Sequence, residues 1–133
     1  MTTVASWPRM FIALGALNGA LAVGAGAYGW HALDADSAGQ DIFMMGSQYQ
    51  MWHGIGLIAV GLTGRILSGN RAGFWAQASG LLFLAGTVMF CGTLYIFGLT
   101  GTLALPHIAP IGGMSLMAGW LALGVAALVS ERT

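Results

Sequence analysis

Residues 49–99 read YQMWHGIGLIAVGLTGRILSGNRAGFWAQASGLLFLAGTVMFCGTLYIFGL, and this stretch decides the fold. Two apolar runs, about Tyr49–Leu67 and about Phe74–Leu99, are joined by a turn that Arg65 and Arg71 bracket. A helix needs roughly 20 apolar residues to cross hydrocarbon, and each run supplies them. The turn is too short for anything except an antiparallel return. Guanidinium groups stay on the side where the chain is made, so this turn belongs in the cytoplasm.

The same reading extends outward in both directions. A first apolar run, about Met10–Trp30, follows Arg9, and a fourth, about Ile111–Val129, precedes Arg132. The other two connections carry no Lys or Arg, so all four formal positive charges fall on one side and both termini are expected in the cytoplasm. Arg9 and the triplet Ala25-Gly26-Ala27 also fit a cleaved leader, but the run is longer than a leader's apolar core and is read as a retained helix.

Composition agrees. With 57% hydrophobic residues, 6% charged residues and a mean hydropathy of +0.80, the chain has too few polar groups to coat a water-soluble globule. Four spans use most of the 133 residues, which predicts a single four-span membrane domain over 1–133. A formal net charge of zero without a single Lys excludes a nucleic-acid partner and a polybasic lipid-binding patch. Cys91 is the only cysteine, so no internal disulfide forms. The predicted fold is an all-α membrane protein, an antiparallel four-helix transmembrane bundle with both termini cytoplasmic.

Small residues indicate which faces meet, because helices associate in lipid through close backbone approach and a few polar contacts. In the fourth span Gly112, Ser115, Gly119, Ala122 and Ala126 form one stripe, with Trp120, Leu121 and Leu128 opposite. In the first, Gly15, Asn18, Gly19, Ala22, Gly26 and Gly29 form another, Asn18 acting as polar glue between helices. The second span sets Gly46, Tyr49, Gln50, His53, Gly56, Val60 and Gly64 against Trp52, Ile55, Ala59, Leu62 and Ile66. In the third, Gly80, Thr87, Cys91, Tyr95 and Gly98 share a face. All these stripes are expected to look inward.

Chemistry-bearing side chains concentrate toward the non-cytoplasmic side. His31, Asp34, Asp36 and Asp41 follow the first span, His53 is expected about one turn into the second, and His107 lies in the last loop. Tyr49 and Gln50 share a helix face with His53, and Tyr95 and Thr100 are expected at that level from the third span. These residues predict a polar periplasmic-side cluster of His31, Tyr49, Gln50, His53, Tyr95 and His107. Three neutral imidazoles at one depth suit zinc or copper, yet no pair shows ligand spacing, so His31, His53 and His107 are the metal candidates only if they converge. No cofactor is predicted. Asp34-Ala35-Asp36 with Gly39 resembles the start of a calcium loop, but Ala38 and Met45 stand where the third ligand and the closing acid are needed. Asp41 is the expected cap of an interfacial helix leading into the second span. Trp7, Trp30, Trp52, Trp75 and Trp120 read mostly as an interfacial belt.

Several of these stretches together carry a resemblance. Gly26-Ala27-Tyr28-Gly29-Trp30-His31-Ala32-Leu33, Tyr49-Gln50-Met51-Trp52-His53, Gly92-Thr93-Leu94-Tyr95 and Ala109-Pro110-Ile111-Gly112-Gly113 with Gly119-Trp120 are similar to the small membrane proteins classed as domain of unknown function 423. Such proteins occur in bacterial inner membranes, with small transmembrane relatives in mitochondria. The resemblance implies a four-span bundle and marks His31, Tyr49, Gln50, His53, Tyr95 and Pro110–Gly113, and it implies no activity. This chain departs from the family's usual pattern at Trp30 and Gly54.

Three functional readings follow. The first is an accessory or scaffolding subunit packed against a larger inner-membrane complex, respiratory complexes included; its partners are lipid and other membrane subunits or further copies of the chain. The second is a small-molecule or metal site at the periplasmic face on His31 and His53. A transporter or channel ranks last, because no ionisable group is expected in the middle of a span and no inverted repeat is visible. No nucleophile or acid pair marks an enzyme.

Overall fold

The computed structural model describes residues 6–131, and these form four α-helices: α1 Trp7–Ala32, α2 Ala38–Ile66, α3 Asn70–Thr100 and α4 Ile108–Leu128. Helix α1 starts with Pro8 in its first turn, where the missing N–H costs nothing. The Ser37 hydroxyl caps α2 by accepting from the Gln40 N–H at 3.0 Å. Gly69, at φ 97°, turns the chain into α3, and Gly101, at φ 70°, ends α3 in the left-handed conformation that favours glycine.

The helices pack in sequence order, α1 on α2, α2 on α3 and α3 on α4. Glycine makes the approaches close. A Cβ at Gly15 would lie 2.5 Å from the Gly54 carbonyl oxygen, so α1 and α2 touch backbone to backbone. Between α3 and α4 a Cβ at Gly112 would meet the Phe90 backbone nitrogen at 2.6 Å. Phe11, Leu57, Val60, Phe83 and Leu116 form one buried cluster to which every helix contributes. The inward stripes hold: Gly15, Ala22 and Gly29 are buried on α1, His53, Gly56 and Val60 on α2, Gly80, Thr87 and Cys91 on α3, and Gly112, Gly119, Ala122 and Ala126 on α4. Leu17, Leu21, Ile55, Leu62, Leu121 and Leu128 face outward.

Three helices, α1, α3 and α4, are long and apolar enough to cross a membrane, and α2 is not among them. Its polar residues explain the difference. Gln40, Ser47, Gln50 and His53 are all buried, because α2 lies between α1 and α3 and turns these side chains toward its neighbours. It nevertheless runs antiparallel to α1 along its length, from Phe43 beside Gly29 to Gly61 beside Pro8. All four helices therefore pack side by side in one bundle. Arg9, Arg65 and Arg71 gather at one end of the bundle, where Trp7 abuts Gly64; Arg132 lies outside the described residues.

Helix α2 begins well before the expected start near Tyr49. Two side chains extend it: the Ser37 cap, and Gln40, whose amide donates to the Gly29 and Trp30 carbonyls at 3.2 and 3.4 Å while its own oxygen accepts from the Asp36 N–H at 3.2 Å. The polar stretch before Tyr49 is thus helical, and Ser37 takes the capping position expected of Asp41. Asp41 is exposed in the first turn, where a carboxylate favours the helix amino terminus.

Candidate functional site in the bundle interior

The early start of α2 moves the chemistry. His53 sits at the middle of α2, not one turn from its end, and a Cβ at neighbouring Gly54 would touch Asn18 and the Gly15 carbonyl. Asn18 is itself near the middle of α1, while His31 is exposed in its last turn. At 1.5 Å per residue, His31 is roughly 20 Å further along the bundle than the level of Asn18 and His53. His107 is exposed at the amino-terminal boundary of α4 and makes no capping bond. Among the described residues no group of three His, Cys, Asp or Glu side chains could hold a metal. The expected periplasmic layer therefore separates into two exposed histidines and an interior group at mid-depth, and an ionisable ring does lie mid-span.

The interior group is two hydrogen-bonded assemblies. In the first, the Trp120 indole N–H donates to His53 Nε2 at 3.1 Å, which makes that nitrogen the unprotonated acceptor. His53 Nδ1 must then carry the proton and donate to the Tyr49 carbonyl oxygen at 2.7 Å. Both ring nitrogens are occupied, so the imidazole is neutral and has no lone pair left for a metal. Phe83 packs edge-on to the imidazole and to the Trp120 ring. Tyr49 stacks on the other side, its ring centroid 6.1 Å from that of His53.

In the second assembly, Tyr95 donates to Gln50 Oε1 at 2.5 Å, the Gln50 amide donates to Asn18 Oδ1 at 3.3 Å, and the Asn18 amide donates to the Leu14 carbonyl at 3.0 Å. One chain of bonds thus ties α3 to α2 and α2 to α1. Two serines do similar work on α4: Ser79 Oγ donates to the Gly119 carbonyl at 2.7 Å and Ser115 Oγ to the Leu82 carbonyl at 2.9 Å. Each bond removes a polar group from contact with hydrocarbon at about 1 kcal/mol apiece.

Two grooves over the interior group run between helices that are not sequence neighbours. One, of about 360 Å³, lies between α2 and α4 over His53 and is lined by Tyr49, Trp52, Gly113, Leu116, Met117 and Trp120. The other, of about 350 Å³, lies between α1 and α3 over Gln50. Trp52 and Trp120 are half-exposed at the middle of their helices, so they do not belong to an interfacial belt; Trp7 and Trp30, at the two ends of α1, fit one.

Of the expected site residues, Tyr49, Gln50, His53 and Tyr95 come together with Asn18, whereas His31 and His107 stand apart. Thr100 is exposed at the end of α3 and bonds locally to Ile96 and Thr102. Trp120 and Gln40 are the polar partners that sequence reading passed over. Trp120 looks like bulk on an outer face until the depth of His53 is known, and Gln40 looks like loop.

Comparison with known proteins gives a consistent result. The family model described as protein of unknown function (DUF423) matches residues 25–113. A UPF0382 membrane protein of Staphylococcus epidermidis is 42% identical over 122 residues, covering 90% of this chain and 96% of the relative. The UPF0382 membrane protein YwdK of Bacillus subtilis is 38% identical over 122 residues, covering 90% and 97%. No solved structure matches. The relatives are membrane proteins by name, and the long apolar helices found here agree with a place for this chain in the bacterial inner (cytoplasmic) membrane. Sharing their sequence almost end to end, this chain belongs to the family of proteins of unknown function DUF423.

Proposed function

We propose that this protein is an accessory or scaffolding subunit that packs against a larger assembly in the inner membrane. One observation carries the reading: the polar side chains of the interior, Thr87 aside, are hydrogen-bonded within the bundle, while an aromatic groove between α2 and α4 stays open at mid-depth. His53, Trp120, Gln50, Tyr95, Asn18, Ser79 and Ser115 hold helices together, which leaves no activated nucleophile or acid–base pair among them. Trp52 and Trp120 border the groove where no interface needs anchoring, and Gly113 on its wall lets another backbone approach. Large aromatic surfaces beside small residues suit contact with a further transmembrane helix.

The test is site-specific photocrosslinking in native membranes. A photoreactive amino acid at Met117, which lines the groove and is exposed, is expected to yield discrete adducts with another membrane protein. Adducts with lipid alone, or with a second copy alone, would overturn the accessory role.

A further inference from the structure

The packing of α3 on α4 repeats the packing of α1 on α2 in register. A Cβ added at Gly15 of α1 would meet the Gly54 carbonyl oxygen and Ile58 of α2 at 2.5 and 2.7 Å; one added at Gly86 of α3 would meet the Gly112 carbonyl oxygen and Leu116 of α4 at 2.9 and 2.6 Å. The reverse contacts match as well. A Cβ at Gly61 would meet the Pro8 carbonyl oxygen and Ile12, and one at Gly119 the Ser79 carbonyl oxygen and Phe83. Gly54 faces the Gly19 nitrogen and the Asn18 Cβ, as Gly112 faces the Phe90 nitrogen and the Met89 Cβ. All these pairs correspond by one constant shift, 71 from α1 to α3 and 58 from α2 to α4. The chain is thus built from one helical hairpin used twice, each time leaving the arginine-bearing end, which makes the repeat parallel and not inverted.

Within the chain the two hairpins meet through α2 and α3. Phe83 packs on His53 and against Gly56, Leu94 and Tyr95 pack against Gly46, and Tyr95 donates to Gln50. The repeat gives α4 the counterpart of this α2 surface and α1 the counterpart of this α3 surface, yet among the described residues α1 and α4 are not packed on each other. Both counterparts are bare. On α4, Ile111 and Met114 stand where His53 and Gly56 do and are about half exposed, and exposed Ala118 and Leu121 continue the line at heptad spacing. On α1, Val23 and Gly24 stand where Leu94 and Tyr95 do and are exposed, as are Ala20 and Ala16 one and two turns before Gly24. An apolar ridge and a strip of small residues are complementary halves of a helix contact in lipid. Copies in one membrane share their orientation, so α4 of one runs antiparallel to α1 of the next, as α2 runs to α3. We propose that copies of this chain assemble head to tail, α4 of one packing on α1 of the next as α2 packs on α3 within the chain. A second copy is the occupant that the repeat specifies, because it carries the counterpart of the surface already seated on α2. The two sides of the contact are different surfaces, so the interface is heterologous.

Two differently tagged forms of the full chain in one membrane test this, one carrying Ile111→Cys and the other Ala16→Cys, oxidised with copper phenanthroline. These positions are the counterparts of His53 and of Thr87, the residue one turn beyond Phe83 on α3. An adduct carrying both tags is expected, and none from either variant paired with itself; the native thiol contributes nothing, because Cys91 is buried. Ala16→Leu places bulk on the exposed strip without touching the interior. It is expected to keep the helicity of wild type while the mass found by light scattering in mild detergent falls from several chains to one. Absence of the two-tag adduct, adducts confined to like pairs or to another protein, or equal masses for wild type and Ala16→Leu would each overturn the proposal. The crosslink at Met117 reads the α2/α4 groove, whereas Ile111 and Ala16 report on the outer faces of α4 and α1, so this assembly and the accessory role fail independently.

Discussion

Trp120 and His53 settle each other's chemistry, because an indole nitrogen can only donate. The proton of His53 is thereby assigned to Nδ1, and nitrogen NMR of the labelled protein is expected to show that tautomer; a proton on Nε2 would contradict the bond. Trp120→Phe leaves a buried ring nitrogen without a partner and is expected to destabilise the bundle by about 1–3 kcal/mol, read as a fall in melting temperature in detergent. Glycine substitutions should divide sharply by position. Gly15→Ala drives a methyl against the Gly54 carbonyl and the Ile58 nitrogen, neither of which can swing aside, and is expected to cost about 1–3 kcal/mol. Gly24→Ala meets nothing within 4 Å and is expected to stay within about 1 kcal/mol of wild type. Equal melting temperatures for the two variants would show that the α1–α2 approach is looser than described.

At the scale of the element, α2 is where sequence reading succeeded and failed together. Its inward face was legible, since Gly46, Gln50, His53, Gly56 and Val60 recur at helical spacing and are buried, while Trp52, Ile55, Leu62 and Ile66 are exposed. Its beginning was not. Gln40, Asp41, Ser47 and Gln48 lower the local apolarity, so the stretch reads as an interfacial helix capped by Asp41 and not as part of the span, and only the three-dimensional placement of Gly29 and Trp30 shows that Gln40 has carbonyls to bond. From that one boundary the depth of His53 was misread, and with it the layer of three imidazoles. The small-residue stripe of α4 carried no such ambiguity, because Ser115 is its one polar residue and the start of the helix is punctuated by Pro110. Gln50→Leu tests what the polar face contributes. It severs Asn18 from Tyr95, and denaturation in mixed micelles is expected to show a loss of about 1 kcal/mol, small because each interhelical bond in lipid is worth little. A gain in stability would mean that the chain of amides is retained for something other than holding helices.

For the whole molecule, the bundle has two distinct ends. Arg9, Arg65 and Arg71 lie at one, with the Ser68 carbonyl accepting from the Glu131 N–H at 3.1 Å and the Ser68 N–H donating to Ser130 Oγ at 3.2 Å. The exposed loop through Thr102, Leu103 and Leu105 lies at the other. Membrane-impermeant maleimide is expected to label Thr102→Cys from outside intact spheroplasts, and Asn70→Cys only after lysis. The native thiol should not interfere, because Cys91 is buried. The reverse pattern would invert the assignment of both ends.

The contact of α1 with α2, from Pro8 against Gly61 to the Gln40 amide on the Gly29 and Trp30 carbonyls, also bears on biogenesis. Once the ribosome has passed residue 66, every partner in that hairpin has been synthesised, and the second segment can leave the insertion machinery already paired with the first. Its glutamines and histidine then meet the lipid phase in company, which is how a helix too polar to partition alone is delivered to the middle of a bilayer.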